Sequence, residues 1–450
     1  MSKEIRLKKG VNINLKGKAD KVYASVPNSK NYCIKPTDFH NLIPKLDVEV
    51  GDKVLAGSPL FHDKKNADIL FTSPVSGKII EINRGAKRVI EEIIISADKE
   101  IKYIDFGKKD PKKLSRKEII EKMLQAGVWP FIRQRPFSII ANPNEVPKSI
   151  FISSFNSAPL AIDNDFALHG LDEAFQKGLD IITKLTDKKT HINIDGNTVP
   201  STAFTNANRV QLNKIYGPHP SGNVGVQIHH IDPIKKGEVV WYLEPQDILI
   251  IGKLFNTGFL DATRTFTLSG SQVIKPRYYT GLLGSSISNI VKENIKKGLS
   301  RYISGDILTG NQIRNNGYLG FYHTQITVIP EGNNPDFFGW LRPATDKFSM
   351  SRAVWSWLLP KKEFELDTNM RGEERAYVMS GEYEKTLPMD IYPVHLIKSI
   401  MIDDIEQMEN LGIYEVAPED FALCEVVCTS KMPVQKIIRE GLDLVLKECS

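Results

Sequence analysis

A chain of 450 residues is too long for one ordinary core, and at about 150 residues per domain roughly three domains are expected. With 41% hydrophobic and 25% charged residues, neither disorder nor a fibre is indicated, and no apolar run reaches the roughly 18 residues of a membrane-spanning helix. The net charge of +5 is unevenly spread: residues 1–150 hold 29 Lys and Arg against 18 Asp and Glu, the remaining 300 hold 30 against 36.

That basic N-terminal third suits an anionic lipid surface or an acidic partner protein, although a solvated lysine-rich surface is the plainer explanation. It carries no nucleic-acid-binding motif. The start, MSKEIRLKKG, is positive but leads into no apolar stretch, so no cleaved signal peptide is expected. Four cysteines, Cys33, Cys424, Cys428 and Cys449, make no disulfide framework and fit a reducing compartment.

Residues 1–100 read as short strands forming a small all-β sandwich or barrel. VEVGDKVLAGSPLF alternates apolar and polar residues about a hairpin-type turn at Gly51-Asp52, and ILFTSPVSGKIIEI repeats the pattern with its bend at Pro74 and Gly77. Val89 to Ser96 is one more strand. A charged linker comes next, then a helix opening with a capping box at Ser115 and Glu118 and stopping at Gly127. KSIFISSFN is a buried strand, Asp172 to Leu185 an amphipathic helix and THINIDG a strand. This alternation predicts an α/β domain with a parallel sheet over residues 101–257. Over 258–330 short strands return around a helical piece near Ser286 to Lys297, compatible with a β-grasp unit. Residues 331–450 read as mainly helical, including HLIKSIMIDDIEQMENLG and MPVQKIIREGLDLVLKE.

Several motifs invite chemistry and fail in detail. The paired turns of the first unit look like a biotinyl/lipoyl-type hammerhead, but eight residues before Pro74 stands Asn66, not the lysine that would carry a swinging arm. Gly217 and Gly222 have phosphate-loop spacing, yet Asn223 and Val224 stand where Lys and Ser or Thr are needed. The segment after these glycines reads as strand, so a structural turn is expected. On a strand, His229 and His230 would face opposite sides and share no metal. Cys424 and Cys428 lack the further ligands of a zinc or iron–sulfur site, so neither metal nor cluster is expected.

In GVWPFIRQRPFS, Trp129, Phe131 and Phe137 alternate with Arg133 and Arg135. Flat apolar faces beside fixed cations suit a quinone head, whose carbonyls accept hydrogen bonds. The competing explanation is that the aromatics pack a domain junction while the arginines pair with carboxylates.

Taken in order, LFHDKKNADILFTSPVSGKI, NRGAKRVIEEIII, RQRPFS, GPHPSGNVGVQIHHIDP, QDILIIGKLFNTG, FGWLRPATDKFS, GEERAY, LPMDIYPVHLI and DFALCEVVC resemble one family along essentially the whole chain: the A subunits of the sodium-translocating NADH:quinone reductases (Na+-NQR). The resemblance implies a multidomain α+β chain: a barrel-sandwich domain (1–100), a Rossmann-like α/β domain (101–257), a β-grasp domain of the soluble-ligand-binding type (258–330) and a helical C-terminal domain (331–450). It implies a peripheral location on the cytoplasmic face of the bacterial inner membrane, beside the B, C, D, E and F subunits. In that family NADH, flavins and iron–sulfur centres belong to the partner subunits. This chain would bind no cofactor tightly and would contribute to quinone reduction coupled to sodium export, with Trp129, Phe131, Arg133, Arg135 and Phe137 as the quinone-contacting patch. The family is kin to the flavin-binding subunit of respiratory complex I and to the C subunit of the Rnf electron-transport complex. The Rnf alternative needs cysteine runs that Cys424 and Cys428 do not supply. A further alternative is a ligand-free docking and assembly subunit.

Overall fold

The computed structural model describes residues 3–25, 28–332, 339, 344–350 and 354–449. Of FGWLRPATDKFS, residues 338 and 340–343 lie outside the described residues.

The barrel-sandwich unit holds a four-stranded and a three-stranded sheet. Its two turn motifs work differently from the expected hairpins. Pro44–Leu46 pairs with Pro59–Asp63, whereas Lys53–Val54 pairs with Gly77–Arg84. The Gly51-Asp52 turn, with Gly51 at φ 105°, therefore carries the chain from one sheet to the other. The bend at Pro74 and Gly77 does the same between Asn66–Thr72 and Gly77–Arg84. Local alternation announces a turn but not the strand that lies beyond it.

Two N-terminal segments pair with strands outside the two sheets of this unit. Glu4–Arg6 adds a parallel edge strand beside Gln211–Tyr216 in the seven-stranded sheet. Asp20–Tyr23 adds another beside Arg277–Leu282 in a six-stranded mixed sheet. Both segments are short and largely exposed, so their sequences carry no burial pattern naming a partner.

In the seven-stranded sheet, Gln211–Tyr216, Thr190–Asp195, Ser149–Ser153 and Val240–Leu243 run parallel in that spatial order. The first strand in the chain, Ser149–Ser153, is central; the next two lie to one side and the last to the other. The chain direction thus reverses between Ser149–Ser153 and Val240–Leu243, opening a crevice at their carboxyl ends. The helix Arg116–Gln125 opens with the capping box of Ser115 and Glu118, and Asp172–Ile182 packs on Pro245–Thr257. The approach is close: a Cβ on Gly178 would stand 2.1 Å from the Ile248 carbonyl oxygen.

One expectation is overturned here. Val224–Ile231 is an α-helix, not a strand. Val224, Val226 and Ile228 alternate as a strand would, but the flanking strands are parallel members of one sheet, and a parallel pair is joined by a crossover, usually helical.

The six-stranded sheet carries only a short helix, Ser288–Val291, where a longer helical piece was expected. HLIKSIMIDDIEQMENLG forms two helices, Pro393–Met401 and Ile405–Asn410, broken at Asp403 with φ 55°. With Val434–Cys449 they enclose a separate core around Leu396, Ile397, Met408, Phe421 and Leu442, to which Val226 contributes from the α/β unit.

Candidate functional site

The crevice at the carboxyl ends of Ser149–Ser153 and Val240–Leu243 is closed into a cavity of about 450 Å³. The turn leading into the strand Gln325–Pro330 contributes Tyr322 and His323, and the helical unit contributes Glu419 and Arg439. At its centre is Arg133. The antiparallel pairing of Arg133–Arg135 with Val240–Leu243 sets Arg133 opposite Tyr242. Its guanidinium lies 4.5 Å from the Tyr242 ring centre and 4.4 Å from that of Tyr322, a cation held between two π faces. Glu244 stands 3.4 Å away, and the Tyr322 hydroxyl is fixed by donating to the Pro130 carbonyl at 2.7 Å.

Four buried polar atoms of the lining residues lack a protein partner: Arg133 Nε, Ser138 Oγ, His219 Nε2 and Arg439 Nε. Unpaired buried groups cost free energy, and their collection around one cavity marks it as a place for a polar ligand. His219 is only 3% exposed, its Nδ1 lying 3.0 Å from Ser157 Oγ. Burial raises the carboxyls of Asp38 and Glu244 above the ordinary range and lowers the imidazole of His323. The cavity therefore combines a cation, flat aromatic walls, apolar Ile139 and Ile140 and titratable side chains.

The five residues proposed for a quinone divide. Arg133 lines the cavity. Trp129 is buried, donating from Nε1 to the Ala141 carbonyl at 2.8 Å and meeting Trp241 edge-on. Phe131 stacks on Phe321 in the core between two sheets. Arg135 is sealed beneath the helical unit against Asp420 at 2.8 Å and Glu419 at 2.6 Å. Phe137 packs on Tyr414, and its carbonyl accepts from Arg439 at 2.7 Å. Trp129, Phe131, Arg135 and Phe137 are thus engaged in packing and ion pairing, and Arg133 alone of the five lines this cavity. Tyr242, Tyr322, His219 and Arg439 come from four distant segments, and only the unusual density of aromatics and arginines near residue 133 points here.

The histidine pair likewise serves the junction. His229 Nδ1 lies 2.8 Å from Glu415, its Nε2 accepts from the Asp390 amide at 3.0 Å, and His230 Nε2 donates to the Pro388 carbonyl at 2.7 Å. Among the described residues no group of three or more His, Cys, Asp or Glu is placed to hold a metal ion. Cys424 and Cys428 are buried and free; burial pushes the Cys424 thiol up to about 12. Among the described residues, too, no helix is long and apolar enough to cross a membrane.

Burial holds His191 and His219 neutral, with pKa values lowered to about 4. Between pH 6.5 and 4 the unfolded chain binds protons that the folded chain does not, so stability should fall as pH drops through that window. Urea midpoints at pH 7 and pH 5 measure the loss, and His191→Asn and His219→Asn should each flatten it.

Three family models cover most of the chain: the NqrA N-terminal barrel-sandwich hybrid domain over residues 5–98, the NqrA second alpha/beta domain over 114–260 and the NQRA C-terminal domain over 265–315. Full-length relatives are similar throughout. The A subunit of the Na(+)-translocating NADH-quinone reductase of Yersinia pestis bv. Antiqua is 36% identical over 448 residues, covering 99% of this chain and 100% of that one. That of Neisseria meningitidis serogroup A is also 36% identical at the same coverage. That of Photorhabdus laumondii is 34% identical over 447 residues, with 99% and 100% covered. The chain belongs to the NqrA family, the A subunits of the Na+-translocating NADH-quinone reductases. It is thus one component of a multi-subunit oxidoreductase that moves sodium.

Proposed function

We propose that this NqrA chain lies peripherally on the cytoplasmic face of the bacterial inner membrane and contributes to the reduction of quinone to quinol, with a quinone head seated in the Arg133 cavity. The B to F subunits would supply the NADH, flavin and iron–sulfur chemistry. In this reading the chain divides as a barrel-sandwich (1–100), a Rossmann-like unit (101–257), a β-grasp unit (258–330) and a helical unit (331–450), and all four line the cavity, Asp38 and His40 coming from the first.

The observation that carries the reading is Arg133, clamped between Tyr242 and Tyr322 with its Nε unpaired in the cavity. A quinone ring is flat and its two carbonyls only accept hydrogen bonds, so donors beside aromatic walls match it. Reduction to quinol takes up two protons with two electrons, and Asp38, Glu244 and His323 are titratable groups of the cavity wall.

In the assembled complex, Arg133→Met should raise the quinone KM about tenfold, the worth of one charge-assisted hydrogen bond. NADH oxidation by an artificial acceptor should be untouched, and a photoreactive quinone should label the chain near residues 133–140. Unchanged quinone kinetics with labelling confined to membrane subunits would sink the proposal. The second reading, a docking and assembly subunit, is favoured by the structural placement of Trp129, Phe131 and Arg135. It expects Arg133→Met to leave turnover intact.

A further inference from the structure

We propose that His219 is a second hydrogen-bond donor of the Arg133 cavity, presenting its imidazole Nε2–H to a quinone carbonyl, with Ser157 as the positioning residue that sets its tautomer. The inference rests on the quinone reading of that cavity and adds a ligand-contacting residue to it. The loop 217–222, whose glycine spacing imitates a phosphate loop, follows the strand Gln211–Tyr216 and leads into the helix Val224–Ile231. It therefore lies at a carboxyl end of the parallel sheet, against the loop that follows Ser149–Ser153. The Gly222 amide donates to Ser157 Oγ at 2.8 Å. A Cβ on Gly222 would stand 2.5 Å from Ser157 N and 2.8 Å from Ser157 Oγ, so a side chain there would part the two loops. The N-terminal segment holds His219 by its main chain: the His219 amide donates to Asn12 Oδ1 at 2.8 Å, and its carbonyl accepts from the Val11 amide at 2.9 Å.

The place of the ring proton follows from the hydrogen bonds around it. His219 Nδ1 lies 3.0 Å from Ser157 Oγ. That oxygen already accepts from Gly222, and among the described residues its own proton has no other acceptor than Nδ1. When the hydroxyl donates to Nδ1, the imidazole proton sits on Nε2. The other tautomer would leave the hydroxyl proton unpaired. Burial keeps the ring neutral, lowering its pKa to about 4, so it does not carry both protons at neutral pH. Asp306, whose charge favours the imidazolium, is engaged elsewhere: it accepts from the Leu308 amide at 2.7 Å, the Thr309 amide at 3.1 Å and the Thr309 hydroxyl at 2.7 Å. Nε2 is buried without a protein partner, and His219 lines the cavity together with Arg133. A buried donor with no acceptor is costly, and a quinone carbonyl supplies one. Two donors carried by different segments match the two carbonyls of one quinone ring.

The test reads the ring and the kinetics separately. Nitrogen NMR of the full chain with isotope-labelled histidines, the His219 signals being identified by their loss in His219→Gln, should show a protonated Nε2 and a bare Nδ1. In the assembled complex, His219→Leu should raise the KM for a short-chain ubiquinone roughly fivefold, the worth of one neutral hydrogen bond, with kcat changed less than KM. His219→Gln, whose amide can donate from near the position of Nε2, should recover most of that loss, and Ser157→Ala should raise KM by less than His219→Leu does. A protonated Nδ1 overturns the proposal. So does an equal rise of KM in His219→Leu and His219→Gln, because the shape of the loop rather than the donor is then responsible. An unchanged KM in His219→Leu beside a raised one in Arg133→Met also overturns it, while leaving the quinone cavity standing. If neither variant moves KM, the cavity reading itself fails and the role of His219 fails with it.

Discussion

Arg135→Ala is expected to lower the stability of the chain by about 3–5 kcal/mol, the usual consequence of breaking a buried ion pair from one side. Arg135 has a fully buried side chain and donates to Asp420 at 2.8 Å and to Glu419 at 2.6 Å. Asp420 is equally buried and accepts the Ala417 amide at 3.0 Å. Burial pushes its carboxyl up, and the guanidinium hydrogen-bonded to it draws it down. Removing the cation leaves the buried carboxyl of Asp420, and that of Glu419, without their partner. The pair rests on Gly225, where a Cβ would stand 2.4 Å from Asp420 Oδ2 and 2.7 Å from Arg135 Nη1. It therefore ties the α/β unit to the helical unit across the helix Val224–Ile231. Urea unfolding followed by circular dichroism measures the loss. Arg135→Lys should recover little of it, since an ammonium cannot span both carboxylates. A midpoint within about 1 kcal/mol of the unmodified chain, well below the cost of a broken buried pair, would show that the junction does not depend on this contact.

Asp247→Ala should cost a similar amount, about 3–5 kcal/mol, at the opposite junction. Asp247 lies in the first turn of Pro245–Thr257 and binds Arg264 on the strand Thr263–Ser269, both side chains being almost wholly buried. Arg264 also donates to the Phe321 carbonyl at 2.5 Å. Beside it, Gln246 accepts from the Thr265 amide at 2.8 Å and donates to its carbonyl at 2.9 Å, standing in for a neighbouring strand. Without Asp247 the guanidinium remains buried with no anion. Asp247→Leu combined with Arg264→Met should be much milder than either single change, because no charge is stranded. Thermal melts of the three variants decide the matter. If the double variant is as damaged as Asp247→Ala, lost packing rather than stranded charge is responsible.

These junctions explain why the aromatic and arginine run near residue 133 was hard to interpret. Arg133 and Arg135 are two residues apart on one strand and occupy different surroundings. Arg133 lies between two tyrosines at a cavity, whereas Arg135 lies under a helical unit arriving 280 residues later. The sequence shows two arginines of equal promise, and only the packing of Asp420 and Tyr322 from distant segments distinguishes them. The strand assigned to Val224–Ile231 went wrong for a related reason, since eight residues carry too few periods to separate 2.0 from 3.6.

By itself the sequence determined the family, through ordered segments spread along the whole chain, and most of the local elements. The capping box at Ser115 and Glu118, the strand Thr190–Asp195 and the helices Asp172–Ile182 and Val434–Cys449 were all legible. Those features arise from residues within a few positions of each other, where capping and periodicity act. Only the tertiary structure decided which strands the first 23 residues join, that the turns at Gly51 and Pro74 pass between sheets, and that one cavity collects Arg133, His219, Tyr242, Tyr322 and Arg439. It also set Leu15 beside Phe364 in a parallel bridge. Such groupings depend on chain closure over hundreds of residues, and no local pattern encodes them.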